Sequence, residues 1–194
     1  RVGNVRFQKI EDDIIEVSIA ILPEMRGQNI GLQALRKGCK LILDIKPSTQ
    51  IVAHIKNSNQ SSIQLFKNIG FQIQSRNTDR TVFTFGGRRQ ITENCSIEPV
   101  VGSRMQCQQL YKILKQKTFN ISHKTVPTFE KHCEFVINNP YRVWFLVFVK
   151  NDAMGQCYLT HQNTIGLNIP DPFLEWIPIV LSYIRENFEP TSPS

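Results

Sequence analysis

The stretch "IIEVSIAILPEMRGQNIGLQALRKG", residues 14 to 38, restricts the fold more than any other part of the chain. An alternating apolar strand runs through Pro23 into a turn holding Gly27 and Gly31, and the turn runs directly into sequence with Leu32, Leu35, Cys39 and Ile42 at helical spacing. Glycine is costly inside a helix, so two of them at its mouth need a reason. A glycine-bearing turn between a strand and a helix is rich in unpaired amides and lies at the positive end of the helix dipole, which makes it a ready site for a phosphate group. The spacing is neither that of a Walker P-loop nor that of a Rossmann dinucleotide turn. By itself it fits an ordinary left-handed turn as well as an anion site.

The surroundings supply a pattern. Before this stretch, "VGNVRFQKI" and an acidic turn make the first arm of a hairpin. After it come "IVAHIK", a short apolar strand, and "NSNQSSIQLFKNIG", a short helix with Ser/Asn at its start and Gly70 at its end. Two alternating strands, "FQIQS" and "TVFTF", follow. Residues 1–85 therefore predict the order β-β-α-β-α-β-β. Residues 86–104 carry glycines, charges and a proline without sustained periodicity and are expected to connect two domains. Residues 105–194 predict two helices, the strands "YRVWFLVFVKND", "MGQCYLTHQ" and "TIGLNI", and a last helix that either kinks or starts late at Pro178. Thr128 with Lys131 does not make a capping box, so it does not fix the start of the second helix.

Charge and cysteine content narrow the function. With 23 Lys+Arg against 16 Asp+Glu the net charge is +7, which favours anionic partners without choosing among them. The five cysteines form no C-x-x-C pair and no zinc spacing, so they read as reduced thiols of a cytoplasmic protein, and no metal site is expected. The longest apolar run, Val143 to Val149, is far below the roughly 20 residues of a membrane span. For nucleic acid there is only charge, with no aromatic-basic interleaving.

The two segments "IEVSIAILPEMRGQNIGLQALR" and "IVAHIKNSNQSSIQLFKNIGF" resemble the Gcn5-related N-acetyltransferase (GNAT) superfamily over both of its main motifs. Arg26-Gly27-Gln28-Asn29-Ile30-Gly31 matches the family's Gln/Arg-x-x-Gly-x-Gly/Ala turn at its first and last positions, and Asn59, Ser62, Phe66 and Gly70-Phe71 match the second motif. The resemblance implies an α/β (α+β) fold with a mixed, mostly antiparallel sheet flanked by helices. It also implies acetyl-CoA as cosubstrate and a primary amine as acceptor. On the family pattern the amides of Arg26, Gly27, Gln28, Asn29, Ile30 and Gly31 hold the pyrophosphate, Ile19 and Ile21 pair with the pantetheine arm as an added strand, Asn59 contacts that arm, and the sheet splays beside it. Two departures stand out: Asn29 replaces a preferred glycine, and Phe66 replaces a tyrosine that in many relatives protonates the leaving thiolate.

Glu16 occupies a place where relatives often hold a carboxylate base, although a strand glutamate facing solvent is the simpler alternative. His54 reads as core, and Arg88 and Arg89 as an exposed basic connection. The wording of the second motif is similar to relatives that acetylate amino sugars on nucleotides, which the basic charge suits. Peptide or small-amine acceptors stay open, as does a degenerate module that only binds or regulates.

The opening of the chain and "MGQCYLTHQNTIGLNI" share a plan, ending at Ile21 and Ile169, and are read as an internal repeat. The second copy lacks the cofactor turn: "PDPFLEWIP" has no glycine and places Asp171 and Glu175 where phosphate would lie, and Trp144, Phe145 and Tyr158 read as core. The expectation is two partial copies in tandem, the first without its beginning and the second without its end. Residues 105–160 are expected to complete the first copy's sheet, within the chain or by strand exchange in a self-associated pair.

Overall fold

The computed structural model describes residues 2–116 and 126–190. The chain divides into two compact units, Arg1–Gly87 and Arg88–Ser194. In the first unit, strands β1 (Gly3–Glu11) and β2 (Ile14–Ile21) form the hairpin and α1 (Ile30–Ile45) follows the glycine turn. Then come β3 (Gln50–Lys56), α2 (Gln60–Ile69), β4 (Gln72–Arg76) and β5 (Arg80–Phe85). The order is that expected from the sequence. The five strands lie in the order β1-β2-β3-β5-β4, and only the β2–β3 pair is parallel.

Both helices cover one face of this sheet. Leu35, Cys39 and Leu43 of α1 and Ile63, Phe66 and Ile69 of α2 are buried. They share a core with Val17, Ile51, Ala53, Ile55, Phe71, Phe83 and Phe85 of the strands and their flanks. Alternation puts the intervening strand residues on the other face, where Asn4, Arg6, Gln8, Ser18, Ala20, His54 and Lys56 are exposed. His54 is therefore not a core residue; the apolar run "IVAHIK" is buried on its helix side and opens to solvent at His54 and Lys56. The α2 helix is punctuated as its sequence demands. The Asn59 side chain accepts the Ser62 amide at the N-cap, and Gly70 closes the helix in the left-handed conformation (φ 103°).

The second unit is covered on both faces. Its sheet runs β10-β9-β8-β7-β6, from β6 (Arg89–Gln90), β7 (Cys95–Pro99), β8 (Val143–Val149), β9 (Asp152–Leu159) and β10 (Ile165–Asn168), with every pairing antiparallel. Every residue of β8 is buried: Val143, Phe145 and Val147 pack toward α5 (Ile177–Asn187), and Trp144, Leu146 and Phe148 toward α3 (Arg104–Gln116) and α4 (Phe129–Ile137). A strand buried on both sides reads as a continuous apolar run, which is what "VWFLVFV" is.

Three expectations change here. Residues 89–99 are not a connection: β6 and β7 are strands of the second sheet, with Cys95, Ser96 and Ile97 buried. With two and five residues, they are too short to show a strand period. Pro178 marks a late helix start, since a 3₁₀ turn (Asp171–Trp176) precedes α5 and the proline occupies its first turn, where no amide partner is lost. Completion of the first sheet within the chain is also corrected: all five of its strands come from residues 3–85. Thr128 does cap α4, accepting the Lys131 amide at 3.4 Å. Residue 1 and the last four residues, on which the notion of missing ends rests, lie outside the described residues.

Gln106 fixes the entry to α3. Its Oε1 accepts the amides of Val101, Gly102 and Ser103, while Nε2 donates to Glu98 and to the Pro99 carbonyl, all in a buried setting. Gln106→Leu keeps the volume but orphans three buried amides. The expected loss is about 3 kcal/mol or more by urea denaturation. Phe66→Ala, in the first core, is expected to cost about 3–5 kcal/mol; a loss below 1 kcal/mol in either variant would contradict these packing assignments.

Candidate acyl-donor site of the first unit

The site is set by where two strands stop pairing. β2 and β3 are matched only at Ile14–Gln50, Ile15–Ile51 and Glu16–Val52, although β2 continues to Ile21 and β3 to Lys56. Beyond Glu16 the two strands part, and β3 keeps its bonds to β5. The Leu22 amide donates to Val2 at 3.1 Å, so the even-numbered residues of β2 bond toward β1. By alternation the Val17 carbonyl and the N–H and C=O groups of Ile19 and Ile21 point into the gap, the Val17 amide closing the last β2–β3 pair. The groups singled out at Ile19 and Ile21 thus face an open strand edge, and Val17, which the motif did not single out, joins them.

At the upper end of the gap the chain turns into α1. Gly27 has φ 78° with open space where a Cβ would be, and Asn29, at the N-cap of α1, holds the left-handed conformation (φ 58°). Asn is the non-glycine residue that best tolerates that region, which explains how the turn survives the replacement. No side chain caps the helix. The amides of Gly27, Gln28, Asn29, Ile30 and Gly31 have no partner among the described residues. Five free donors at a helix N-terminus fit a diphosphate.

Two details depart from the expected roles. The Arg26 amide is committed to the Pro23 carbonyl at 3.2 Å, and the Arg26 Nε donates to the Ile21 carbonyl at 3.1 Å. Arg26 therefore ties the turn to the end of β2 and uses one of the gap-facing acceptors. The Gln28 side chain likewise folds back, donating to the Glu24 carbonyl at 3.3 Å. Gly31 is ordinary helix, and a Cβ there would meet Ile21, Leu65 and Ile19 at 3.5–3.6 Å, which is normal contact. An open groove of about 510 Å³ lies beside the turn, lined by Gly3, Asn4, Ala20, Ile21, Leu22 and Pro23.

Asn59 has divided duties: its Oδ1 is used by the α2 cap and by the Ser61 hydroxyl at 3.0 Å, which leaves the Nδ2 donor for an incoming group. Phe66 is placed differently from its expected role as a cofactor contact. It is only 2% exposed and lies edge-on to Phe71, with centroids 4.8 Å apart, so it belongs to the core and offers the gap no proton. Glu16 stands at the vertex, half-buried, on the face opposite the helices, and its carboxylate has no partner among the described residues. The buried thiols are not nucleophiles: burial pushes Cys39 well up and Cys157 up to about 12.

Residues 1–71 match the model of the acetyltransferase (GNAT) family. Over that stretch the chain is similar to the GNAT acetyltransferases. The solved structures it is similar to include a GNAT-family acetyltransferase from Bacillus anthracis, with 16% identity, a TM-score of 0.42, and 44% of this chain and 58% of that one covered. Another is the ribosomal-protein-S18-alanine N-acetyltransferase from Escherichia coli, with 19% identity, TM-score 0.38, and 44% and 61% covered. A GCN5-related N-acetyltransferase from Sphaerobacter thermophilus aligns over 96% of this chain and 62% of its own, at 14% identity and TM-score 0.35. The chain thus spans less than two thirds of each of these structures. No curated protein matches. The first unit departs from the turn and the second motif of the family it resembles at Asn29, in place of glycine, and Phe66, in place of tyrosine.

The geometry separates Gly31 from Asn29. Gly31→Ala is expected to leave the fold intact and to gain up to about 1 kcal/mol from helix propensity. Asn29→Val, forced into the left-handed region, is expected to cost about 1–2 kcal/mol. Urea titration of both variants checks this, and a loss above 1 kcal/mol for Gly31→Ala would refute the ordinary contact distances assigned there.

Proposed function

We propose that the chain is an acetyl-CoA-dependent N-acetyltransferase in which an amine attacks the thioester directly. The observation that carries the reading is the parting of β2 and β3 immediately after Glu16–Val52, beneath a turn with five unpartnered amides. The Gly27–Gly31 amides hold the diphosphate. The gap-facing groups of Val17 and Ile19 hold the pantetheine arm as a strand would be held, and Asn59 Nδ2 supplies a further donor. When bound, acetyl-CoA supplies an activated acyl carbon.

Glu16 is assigned the base. An ammonium has no lone pair, so the acceptor must lose a proton before it attacks, and an unpartnered carboxylate at the vertex is placed to take it. With Phe66 buried, proton return to the leaving sulfur falls to water or to the acceptor's own proton. For the second unit we propose a partial, non-binding copy of the same fold. Its hairpin, 3₁₀ turn and helix (β9, β10, α5) repeat the order of β1, β2 and α1, but its turn carries Asp171 and Glu175 and no glycine. The reading is completed by a cytoplasmic setting; no helix among the described residues is long and apolar enough to cross a membrane.

A second reading, a module that binds without turnover, is favoured by one feature, the missing hydroxyl at Phe66. Two measurements separate them. Acetyl-CoA at about 100 times its Kd is expected to add about 2.7 kcal/mol of stability, seen as a rise of several degrees in melting temperature. An unchanged melting temperature would sink the enzymatic reading and favour a module that only binds a partner or regulates. Glu16→Gln is expected to keep that rise while lowering kcat about 10²–10⁴-fold; an unaltered kcat removes Glu16 from the mechanism, and binding with no turnover by the wild type favours the second reading.

A further inference from the structure

We propose that the acceptor is a small primary amine carrying a phosphate group, bound on the open face of the first sheet; this rests on the acetyltransferase reading above. The helices α1 and α2 close one face of the sheet, so an acceptor reaches the gap from the other. On that open face, register and alternation place Arg6 of β1 and His54 and Lys56 of β3 on either side of Glu16. Glu16 is the one carboxylate among the strand residues bordering the gap on this face. Glu11, which a bulge returns to the same face, lies at the hairpin end, away from the gap.

These cations are not spent elsewhere. Lys56 has no partner among the described residues, and Arg6 makes a single bond, Nη2 to Gln8 Oε1 at 2.6 Å, which leaves its charge uncompensated. Arg80, farther along at the Lys56–Arg80 pair, is by contrast already matched to Asp79 at 3.2 Å.

Distances follow from strand geometry. Arg6 pairs with Ser18, two residues up β2 from Glu16, so its Cα is about 7 Å along the strand and one strand spacing of about 5 Å across from the base. Lys56 is four residues up β3 from Val52, about 13 Å, with a long flexible side chain that can meet an anion lying between the two positions. An anion held some 6–10 Å from the reacting nitrogen meets both cations while the amine meets Glu16. That is the span of a phosphorylated amino sugar or a comparable amino phosphate. A polyamine would instead bring further positive charge against Arg6 and Lys56 and be repelled.

The test uses the full chain with acetyl-CoA and matched acceptors: glucosamine against glucosamine 6-phosphate, ethanolamine against phosphoethanolamine, and spermidine as the polycation. We expect kcat/KM at least tenfold higher for a phosphorylated member than for its neutral partner, falling as salt rises. Arg6→Gln and Lys56→Gln should each shrink that ratio at least threefold through KM, with the acetyl-CoA-induced rise in melting temperature retained. A preference for the neutral member, for spermidine or for a peptide amine overturns the proposal, as does a ratio that persists in both variants. So does bound acetyl-CoA with no small acceptor used. Loss of the acetyl-CoA response in the wild type sinks the acetyltransferase reading, and the acceptor assignment with it.

Discussion

Everything proposed for the first unit depends on an interruption: β2 and β3 share three residue pairs and then separate. Ladder hydrogen bonds are normally completed because an unpaired backbone group costs free energy once it leaves water. Here the ladder stops while both strands continue, and Val17, Ile19 and Ile21 are left with groups directed into a gap. β3 stays rigid because β5 holds it over six pairs, and β2 stays rigid because β1 holds it over eight. The gap is therefore a fixed feature between two braced walls, and an extended ligand that supplies the absent bonds fits it without rearrangement.

The turn above the gap shows how local strain is distributed around this opening. Gly27 and Asn29 both take left-handed backbone, and Arg26 straps the turn to Ile21 through its guanidinium. The result is a short arc of amides, from Gly27 to Gly31, without partners among the described residues. The strap has a cost for the ligand, since the Ile21 carbonyl is already occupied. Phe66 lies on the opposite side of this economy: its ring stabilises the core with Phe71 and Phe83, in the place where a hydroxyl would serve chemistry.

The second unit solves a different problem with similar elements. Its central strand is buried on both faces, with α5 on one side and α3 and α4 on the other. Its last helix is preceded by a 3₁₀ segment carrying Asp171 and Glu175. Negative side chains at that position disfavour an anion, whereas the first unit's turn is bare backbone.

Much of this was written in local sequence. The order of elements in residues 1–85, the caps of α2 and the left-handed turn at Gly27 and Asn29 follow from periodicity and from residues with strong backbone preferences, which act within a few positions of themselves. The strands β6 and β7 did not show, because a strand of two to five residues carries too little period. Nor could the sequence place Phe66, His54 or Arg26: whether a ring faces core or cleft, whether a strand histidine is covered, and which carbonyl a guanidinium reaches are settled by what packs across from them. The sequence by itself determined the turn chemistry and the strand and helix pattern, since both arise from near neighbours. Only the tertiary structure decided that β2 and β3 part at Glu16–Val52 and that one face of the sheet stays open, because both depend on pairing and packing between segments some 36 residues apart.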